Sequence, residues 1–254
     1  MFKLMKGDCL ERMKEIPDSS IDMILCDLPY GVTNNKSDIV IPFEPLWEQY
    51  NRVIKKDGAI LLFSQGLFYV DLVNSNRQAF KYDLIWDKVL TTGFLNAKTA
   101  PLRQHEQIAV FSYGKTNYNP QMTKGQPNHS KGNVKFGEVM ENNNNYGKML
   151  LTESNFDGLK YPTSIIRFPK PHPSVAKHRT EKSTDLLEWL IKTYTNKGDI
   201  VLDNCMGSGT TGLACIYTDR SFIGIEKDED YFKVSFDRIR EELPLFKKKD
   251  LEIS

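Results

Sequence analysis

Short apolar runs alternate with helix-like segments along this 254-residue chain, and this alternation restricts its fold more than any other feature. The strand-like runs are Ile21–Cys26, Ala59–Phe63, Leu84–Trp86 and Ile108–Phe111, and the helical segments between them are Glu44–Ile54 and Leu67–Asn76. Such alternation is typical of βαβ units and a mostly parallel sheet. We therefore expect an α/β fold with a doubly wound sheet.

The same pattern resumes toward the carboxyl end. An amphipathic helix carrying Leu186 to Tyr194 follows Ser183 or Thr184, either of which can cap it. A strand over Ile200–Leu202, a glycine-rich turn, a helix from about Thr210 and a strand ending at Glu226 come next. A last helix is predicted from near Asp228, and the tail Lys247-Lys-Lys249 is interpreted as a solvated end.

The segment from Tyr113 to Lys177 lacks this pattern and is rich in Gly, Asn, Lys, Tyr and Pro. It holds nine basic and four acidic residues, a local net charge of +5. So long a stretch is either a disordered insertion or a region that contacts substrate, and its basic and aromatic content favours the second. We therefore divide the chain into a first α/β part over 1–112, an insertion over 113–177 and a second α/β part over 178–254.

The rest of the composition restricts partners and compartment. The formal net charge of the whole chain is +1, which argues neither for nor against nucleic acid. The four cysteines form no Cys-x-x-Cys pair and have no histidines at zinc spacing, so we expect no metal site. No apolar run is long enough to span a membrane, and the first ten residues carry charges at Lys3, Lys6 and Asp8. A reduced cytoplasmic protein with no membrane partner is expected.

The first candidate site follows the strand at Ile21–Cys26, where the sequence continues Asp27-Leu-Pro-Tyr-Gly31. Ligands of open α/β sheets bind at the carboxyl ends of the strands, and Asp27 is expected at such an end. Asp27 could instead be a simple turn aspartate and Tyr30 an ordinary half-buried aromatic. We favour an active-site edge because a carboxylate, a rigid proline and an aromatic ring occur together there.

The second candidate site is the turn from Asp203 to Gly212, which follows a strand and opens a helix. Gly207, Gly209 and Gly212 satisfy G-x-G-x-x-G, and Glu226 follows Gly207 by 19 residues, near the spacing of a ribose-binding acid. No lysine precedes the threonines, which excludes a P-loop. Only 42 residues follow Gly212, too few for the second half of a dinucleotide domain. Asp203 would repel a pyrophosphate and favour a cationic nucleoside.

Taken together, these motifs resemble the amino-methylating DNA methyltransferases that use S-adenosylmethionine, in the group whose catalytic Asp/Ser-Pro-Pro-Tyr motif precedes the cofactor motif (the β group). Asp27-Leu-Pro-Tyr30 is similar to the catalytic motif, with Leu28 where proline is usual. Val201-Leu-Asp203 with Gly207-Ser-Gly-Thr-Thr211 is similar to the cofactor motif, and Ile223-Gly-Ile-Glu226 to the ribose-binding strand. The resemblance implies a Rossmann-like methyltransferase fold.

Two further segments extend the resemblance. His178-Arg-Thr-Glu-Lys182 is similar to a family segment near the methionine carboxylate of the cofactor, and Lys6-Gly-Asp-Cys9 to one near its adenine. A surface lysine and a surface turn acid are nearly equal alternatives for Lys182 and Asp8. The insertion 113–177 falls where the family keeps its target-recognition region.

The resemblance implies a site with two groups of residues and no metal. The catalytic group is Asp27, Leu28, Pro29 and Tyr30. The group that binds S-adenosylmethionine is Asp8, Thr180, Lys182, Asp203, Met206, Gly207, Ser208, Gly209, Thr211 and Glu226. The Asp27 carboxylate and the Leu28 carbonyl each accept one hydrogen of a base amino group, and Tyr30 stacks on the flipped base.

The expected reaction is methylation of N6 of adenine in a specific sequence of double-stranded DNA. Adenine is preferred over N4 of cytosine because the motif begins with Asp. Methylation of RNA or of a protein amide, a NAD-dependent oxidoreductase, and DNA binding without catalysis are the alternatives. Thr33 to Asp38 is either a lid over the base or a solvated loop. The sequence leaves open a homodimer, a cognate restriction endonuclease and the recognition sequence.

Overall fold

The computed structural model describes residues 1–32, 38–125, 139–141, 148–150, 158–170, 182–245, 248 and 251–254. Contacts within the chain divide it into two compact units. The larger unit joins Met1–Asn119 to Ser164–Ser254, and the smaller is Pro120–Thr163. The smaller unit lies inside the segment 113–177 that the sequence sets apart, and the function of that segment remains a prediction.

Thirteen strands and six α-helices are described. The strands are β1 (Phe2–Lys6), β2 (Ile21–Asp27), β3 (Ile54–Ser64), β4 (Phe80–Thr92), β5 (Arg103–Phe111), β6 (Thr123–Lys124), β7 (Val139–Glu141), β8 (Lys148–Leu150), β9 (Leu159–Lys160), β10 (Ile165–Arg167), β11 (Ile200–Asp203), β12 (Ser221–Glu226) and β13 (Leu251–Ile253). The helices are α1 (Cys9–Arg12), α2 (Phe43–Val53), α3 (Gly66–Ser75), α4 (Thr184–Tyr194), α5 (Thr210–Tyr217) and α6 (Glu229–Glu242).

The larger unit is built on a nine-stranded sheet in the order β10-β4-β5-β3-β2-β11-β12-β1-β13. Every described pairing in this sheet is parallel except the two made by β5, which runs against both β3 and β4. The prediction of a mostly parallel α/β sheet is confirmed. The sequence did not predict the direction of β5. This strand forms an antiparallel hairpin with β4, so no crossover helix lies between them.

Helices cover both faces of the sheet. Side chains alternate along each strand, so each strand contributes side chains to the core on either face. In β2, Met23 and Leu25 point into a core shared with α4, α5 and α6, whereas Ile24 and Cys26 point into a core shared with α1, α2 and α3. Residues on both faces of β2 are fully buried. A strand buried on both sides needs a continuous apolar run, which explains the composition of Met23 to Cys26.

The sheet contains several strands that were not predicted from the sequence. β1 and β13 extend the sheet on one side and β10 on the other. The tail interpreted as a solvated end is followed by β13, which pairs in parallel with β1 from Leu251 to Ile253; Lys247 and Lys249 themselves lie outside the described residues. The helix predicted near Asp228 is confirmed as α6, since the Asp228 side chain accepts hydrogen bonds from the amides of Asp230 and Tyr231.

The smaller unit contains two short antiparallel pairings. β6 pairs with β9, Thr123 opposite Lys160, and β7 pairs with β8, Met140 opposite Met149. Among the helices of the described residues, none is long and apolar enough to cross a membrane.

Candidate functional site

Three neighbouring strands end in carboxylates at one edge of the sheet. β2 ends at Asp27, β11 at Asp203 and β12 at Glu226, and the three strands are parallel. After β2 the chain continues to α2 on one face, and after β11 to α5 on the other. The crevice where neighbouring strands send their connections to opposite faces is where open α/β sheets bind ligands. The predicted motifs therefore meet at this crevice.

The turn from Asp27 to Gly31 holds its carboxylate with its own tyrosine. The Tyr30 hydroxyl donates a hydrogen bond of 2.6 Å to Asp27 Oδ1. The Tyr30 ring packs on Phe68 with centroids 5.0 Å apart, and Leu28 is buried in the core beneath the turn. Four successive residues thus supply a carboxylate, a buried anchor, a rigid turn and a supported aromatic ring.

Gly31 allows this turn to close. Its φ of +69° lies in the left-handed region, and an added Cβ would lie 2.8 Å from Val40 Cγ2. The amides of Gly31 and Val32 donate to the Asp38 carboxylate at 2.9 and 3.0 Å. Of the segment Thr33 to Asp38, predicted as a lid or a solvated loop, only Asp38 lies within the described residues.

Lys182 contacts the turn from Asp27 to Gly31. Its Nζ lies 2.8 Å from Asp27 Oδ2 and 3.0 Å from Glu106 Oε2, and 4.8 Å from the centroid of the Phe63 ring. Burial opposes the charge of this ammonium, but Asp27 and Glu106 outweigh it and raise the pKa of Lys182 above its usual value. Lys182 is therefore a buried cation beside Asp27, and its predicted contact with the cofactor remains a prediction.

Glu106 and Lys88 complete a buried charge cluster that was not predicted from the sequence. Lys88 Nζ lies 3.1 Å from Glu106 Oε1, and the Lys88 side chain is only 3% exposed. Burial raises the pKa of Glu106, but Lys182 and Lys88 overcome this and lower it to about 2. The alternation of side chains along β4 indicated that Lys88 is buried, since Lys88 shares a face with Leu84 and Trp86, both of them core residues.

Asp203 fastens the glycine loop to its helix. Its Oδ2 accepts a 2.6 Å hydrogen bond from the Thr211 hydroxyl, and its Oδ1 accepts one of 3.1 Å from the Cys205 amide. Burial raises the pKa of this carboxyl to about 7. Asp203 and Thr211 therefore stabilise the conformation of the loop. A direct contact of either residue with a ligand remains a prediction.

Glu226 lies beside the first glycine of the loop. The Gly207 amide donates to Glu226 Oε2 at 2.8 Å, and the Asp228 amide donates to Oε1 at 2.8 Å. Burial raises the pKa of Glu226. Gly207 has φ +51°, and an added Cβ there would meet nothing within 4 Å. This backbone therefore faces open space next to a partly buried carboxylate, where a polar ligand can approach both.

The other two glycines of the G-x-G-x-x-G pattern serve packing. Gly209 has φ +78°, and an added Cβ would lie 2.8 Å from Ser235 Cβ. At Gly212, inside α5, it would lie 2.6 Å from Ile239 Cδ1. These glycines let α5 approach α6 closely, and only Gly207 leaves room for a ligand.

The remaining predicted cofactor residues have varied surroundings. Asp8 caps α1 by accepting from the Leu10 amide at 3.0 Å, and its other oxygen lies 3.3 Å from Lys227 Nζ. Met206 and Ser208 are buried, with Met206 in the core and the Ser208 carbonyl bound by Arg238. Thr180 lies outside the described residues.

Comparison with known proteins adds to this geometry. The N6/N4 methyltransferase family model, described as DNA methylase, matches residues 21–237. A "DNA adenine methyltransferase YhdJ" of Escherichia coli (strain K12) is 26% identical over 255 residues, covering 93% of this chain and 82% of the relative. A "Type II methyltransferase M2.MboI" of Moraxella bovis is also 26% identical, covering 97% of this chain and 90% of the relative.

A solved structure described as the "M1.HpyAVI-SAM complex" matches with a TM-score of 0.61. It is 25% identical, and the match covers 94% of this chain and all of the other. The family match includes the turn at Asp27 and the loop at Gly207.

Proposed function

Because the chain belongs to the DNA methylase family, we propose that it transfers a methyl group from S-adenosylmethionine to N6 of adenine in a specific sequence of duplex DNA. The observation that carries this proposal is the Asp27 carboxylate, held by Tyr30 and Lys182 at the end of β2, one strand away from the loop at Gly207. S-adenosylmethionine supplies an electrophilic methyl group on a sulfonium.

The chemical difficulty lies in the amino group of the base, whose lone pair is delocalised into the ring. Two acceptors placed on its two hydrogens direct the lone pair out of the ring system toward the methyl group. Asp27 is one acceptor and the Leu28 carbonyl, the next along the main chain, is the other. A carboxylate offers about four lone-pair directions, so Asp27 can accept from the base while it accepts from Tyr30 and Lys182.

Leu28 replaces the proline usual at this position, and two observations support a functional turn in spite of this change. The Leu28 side chain is 4% exposed and anchors the turn in the core. The residue before a proline is held extended, so Pro29 still restricts the backbone whose carbonyl serves as acceptor.

The target base must leave the duplex to reach Asp27, which costs a few kcal/mol. Tyr30 is supported on one side by Phe68 and is partly exposed, so it can receive a flipped base without being displaced. Phosphate contacts offset the cost of flipping. The basic segment from Tyr113 to Lys177 is the proposed source of these contacts and of sequence recognition.

The residues at Gly207 and Glu226 fit a nucleoside cofactor. The open space at the Gly207 α-carbon allows close approach, and Glu226 has carboxylate oxygens that accept hydrogen bonds from hydroxyl groups. We propose that Glu226 binds the ribose hydroxyls, and that the Asp203–Thr211 bond keeps the loop in the shape that permits it.

A nicotinamide enzyme loses support because Gly209, the glycine whose backbone would approach a pyrophosphate, packs against Ser235 instead. N4-cytosine methylation remains the alternative, since that amino group presents the same lone-pair problem. The test is to incubate the protein with S-adenosylmethionine and mixed-sequence duplex DNA, digest the DNA and identify the modified nucleosides by mass spectrometry. N6-methyladenine alone supports the proposal, and methylcytosine alone overturns the choice of base.

Double-stranded DNA is the substrate that the family implies. A homodimer, a cognate restriction endonuclease and a cytoplasmic location belong to the proposal, and none of the contacts described above bears on them. Size-exclusion chromatography with light scattering distinguishes a monomer from a dimer.

A further inference from the structure

Four charged side chains of alternating sign form a line that begins at Asp27 and runs into the protein. Lys182 Nζ bridges Asp27 Oδ2 at 2.8 Å and Glu106 Oε2 at 3.0 Å, and Lys88 Nζ contacts Glu106 Oε1 at 3.1 Å. The exposed fractions are 28% for Asp27, 11% for Lys182, 12% for Glu106 and 3% for Lys88. Of these groups, Asp27 alone is substantially open to the site.

We propose that Glu106 is a positioning residue for methyl transfer: it holds the Lys182 ammonium against Asp27 and thereby fixes the orientation of the carboxylate that receives the base. Lys88 holds Glu106 in the same way from the far side. This inference rests on the proposed function of Asp27.

Lys182 needs such an anchor because its stem is flexible and its surroundings are largely apolar. Its ammonium lies 4.8 Å from the centroid of the Phe63 ring and 5.7 Å from that of the Trp86 ring. A lysine with a single carboxylate partner could rotate away and expose the charge to solvent. With Glu106 on the opposite side, the ammonium is bound at two points and remains beside Asp27.

The charges that face Lys182 come from several elements. Asp27 at the end of β2 and Glu106 in β5 attract it, whereas Lys88 in β4 and Lys170 after β10 repel it. Burial, followed by the charge of Lys182, lowers the pKa of Lys170. Removing the charge of Glu106 therefore leaves Lys182 with one carboxylate and two cations nearby, and its pKa falls.

The contribution to catalysis can be separated from stability. Breaking a buried ion pair by removing one partner destabilises a protein, but replacing both partners with apolar residues is often neutral. Two variants are needed for this reason. Glu106→Gln removes one charge with little change of shape, and the double variant Lys88→Met with Glu106→Leu removes the distal pair together. Both leave Lys182 without its second carboxylate.

The experiment compares kcat, both KM values and the pH profile of kcat from about pH 6 to pH 10 for the wild type and both variants. We expect kcat to fall about 10- to 100-fold, the size of effect on activity that groups have when they orient the ligands of a metal ion, with both KM values within about twofold. The alkaline limb of kcat should move to lower pH, because Lys182 deprotonates more easily. Glu188→Gln, which breaks the Lys192–Glu188 pair on α4, is the matched control and should keep the wild-type profile.

Two results would overturn the proposal. One is wild-type kcat with a wild-type alkaline limb in both variants. The other is a loss of kcat with an unshifted alkaline limb and a lowered Tm, which would make Glu106 purely structural. Full activity of Asp27→Ala would refute the proposed function itself, whatever the Glu106 variants do, so the two failures are distinguishable.

Discussion

Asp27 is held at both of its carboxylate oxygens, by the Tyr30 hydroxyl at 2.6 Å and by Lys182 Nζ at 2.8 Å. Burial and the charge of Asp27 raise the pKa of Tyr30, so its hydroxyl stays protonated and remains a donor. The carboxylate cannot rotate without losing one of these bonds. Its orientation is therefore set before any substrate binds, which is the arrangement that makes electrostatic catalysis effective.

Removing only the Tyr30 hydroxyl should slow the reaction without removing the aromatic ring. Tyr30→Phe loses a hydrogen bond to a charged acceptor, a contribution of about 1.5 kcal/mol or more, so kcat should fall about tenfold. Steady-state kinetics with duplex DNA measures this. Tyr82→Phe is the control, because the Tyr82 hydroxyl bonds the Tyr194 hydroxyl at 2.9 Å instead of a carboxylate. Equal kcat in the two variants would contradict the role assigned to Tyr30.

Loss of the Glu226 carboxylate should weaken cofactor binding. Glu226→Ala removes the acceptor proposed for the ribose hydroxyls and leaves the Gly207 amide without its partner. We expect the Kd for S-adenosylmethionine to rise about 10- to 100-fold, as for hydrogen bonds to a charged group. Isothermal titration calorimetry gives the value. Asp27→Ala removes a carboxylate from the same sheet edge and should bind normally; similar losses in both would refute the separation of roles.

Alanine at Gly207 and at Gly209 should have different effects. Both positions have positive φ, so each substitution strains the backbone by about 1 kcal/mol. At Gly209 the new Cβ also meets Ser235, so the main effect is a lowered Tm. At Gly207 the Cβ enters open space, so the Tm falls less and cofactor binding is lost. Thermal unfolding and titration of both variants test this, and a larger Tm loss at Gly207 would contradict it.

Asp203 should make stability depend on pH. Burial raises its pKa to about 7 in the folded protein, against about 3.9 in an unfolded chain. The folded state thus binds the proton more tightly, and this contribution to stability is present below about pH 4 and lost as the pH rises through about 7. Relative to Asp203→Asn, the wild type should therefore lose free energy of unfolding over this range. Urea unfolding at several pH values measures the difference, and parallel pH curves would contradict the shift.

Much of the sheet was predictable because the sequence encodes it locally. The run from Met23 to Cys26 is buried on both faces, and its abrupt end at Asp27 marks the edge of the sheet. The glycine turn was recognisable for the same reason, since a strand, a turn and a helix follow one another without interruption. The direction of β5 was not predictable, because periodicity carries no information about strand direction.

The charge cluster was hidden for a different physical reason. Glu106 and Lys182 are 76 residues apart, and Lys88 and Glu106 are 18 apart. Each is an isolated charge in its own segment and resembles a surface residue. Their proximity depends on β4 lying next to β5 and on the start of α4 reaching the same edge. The sequence predicted Lys182 beside the cofactor. It did not predict that Lys182 contacts Asp27.

In the proposed reaction, Asp27 receives the amino group of adenine. The most direct measurement is the yield of N6-methyladenine, determined by mass spectrometry of digested duplex DNA, for the wild type and for Asp27→Ala at saturating S-adenosylmethionine. We expect N6-methyladenine with the wild type and none with the variant, whose affinity for S-adenosylmethionine stays unchanged. Equal yields from the two proteins would contradict it.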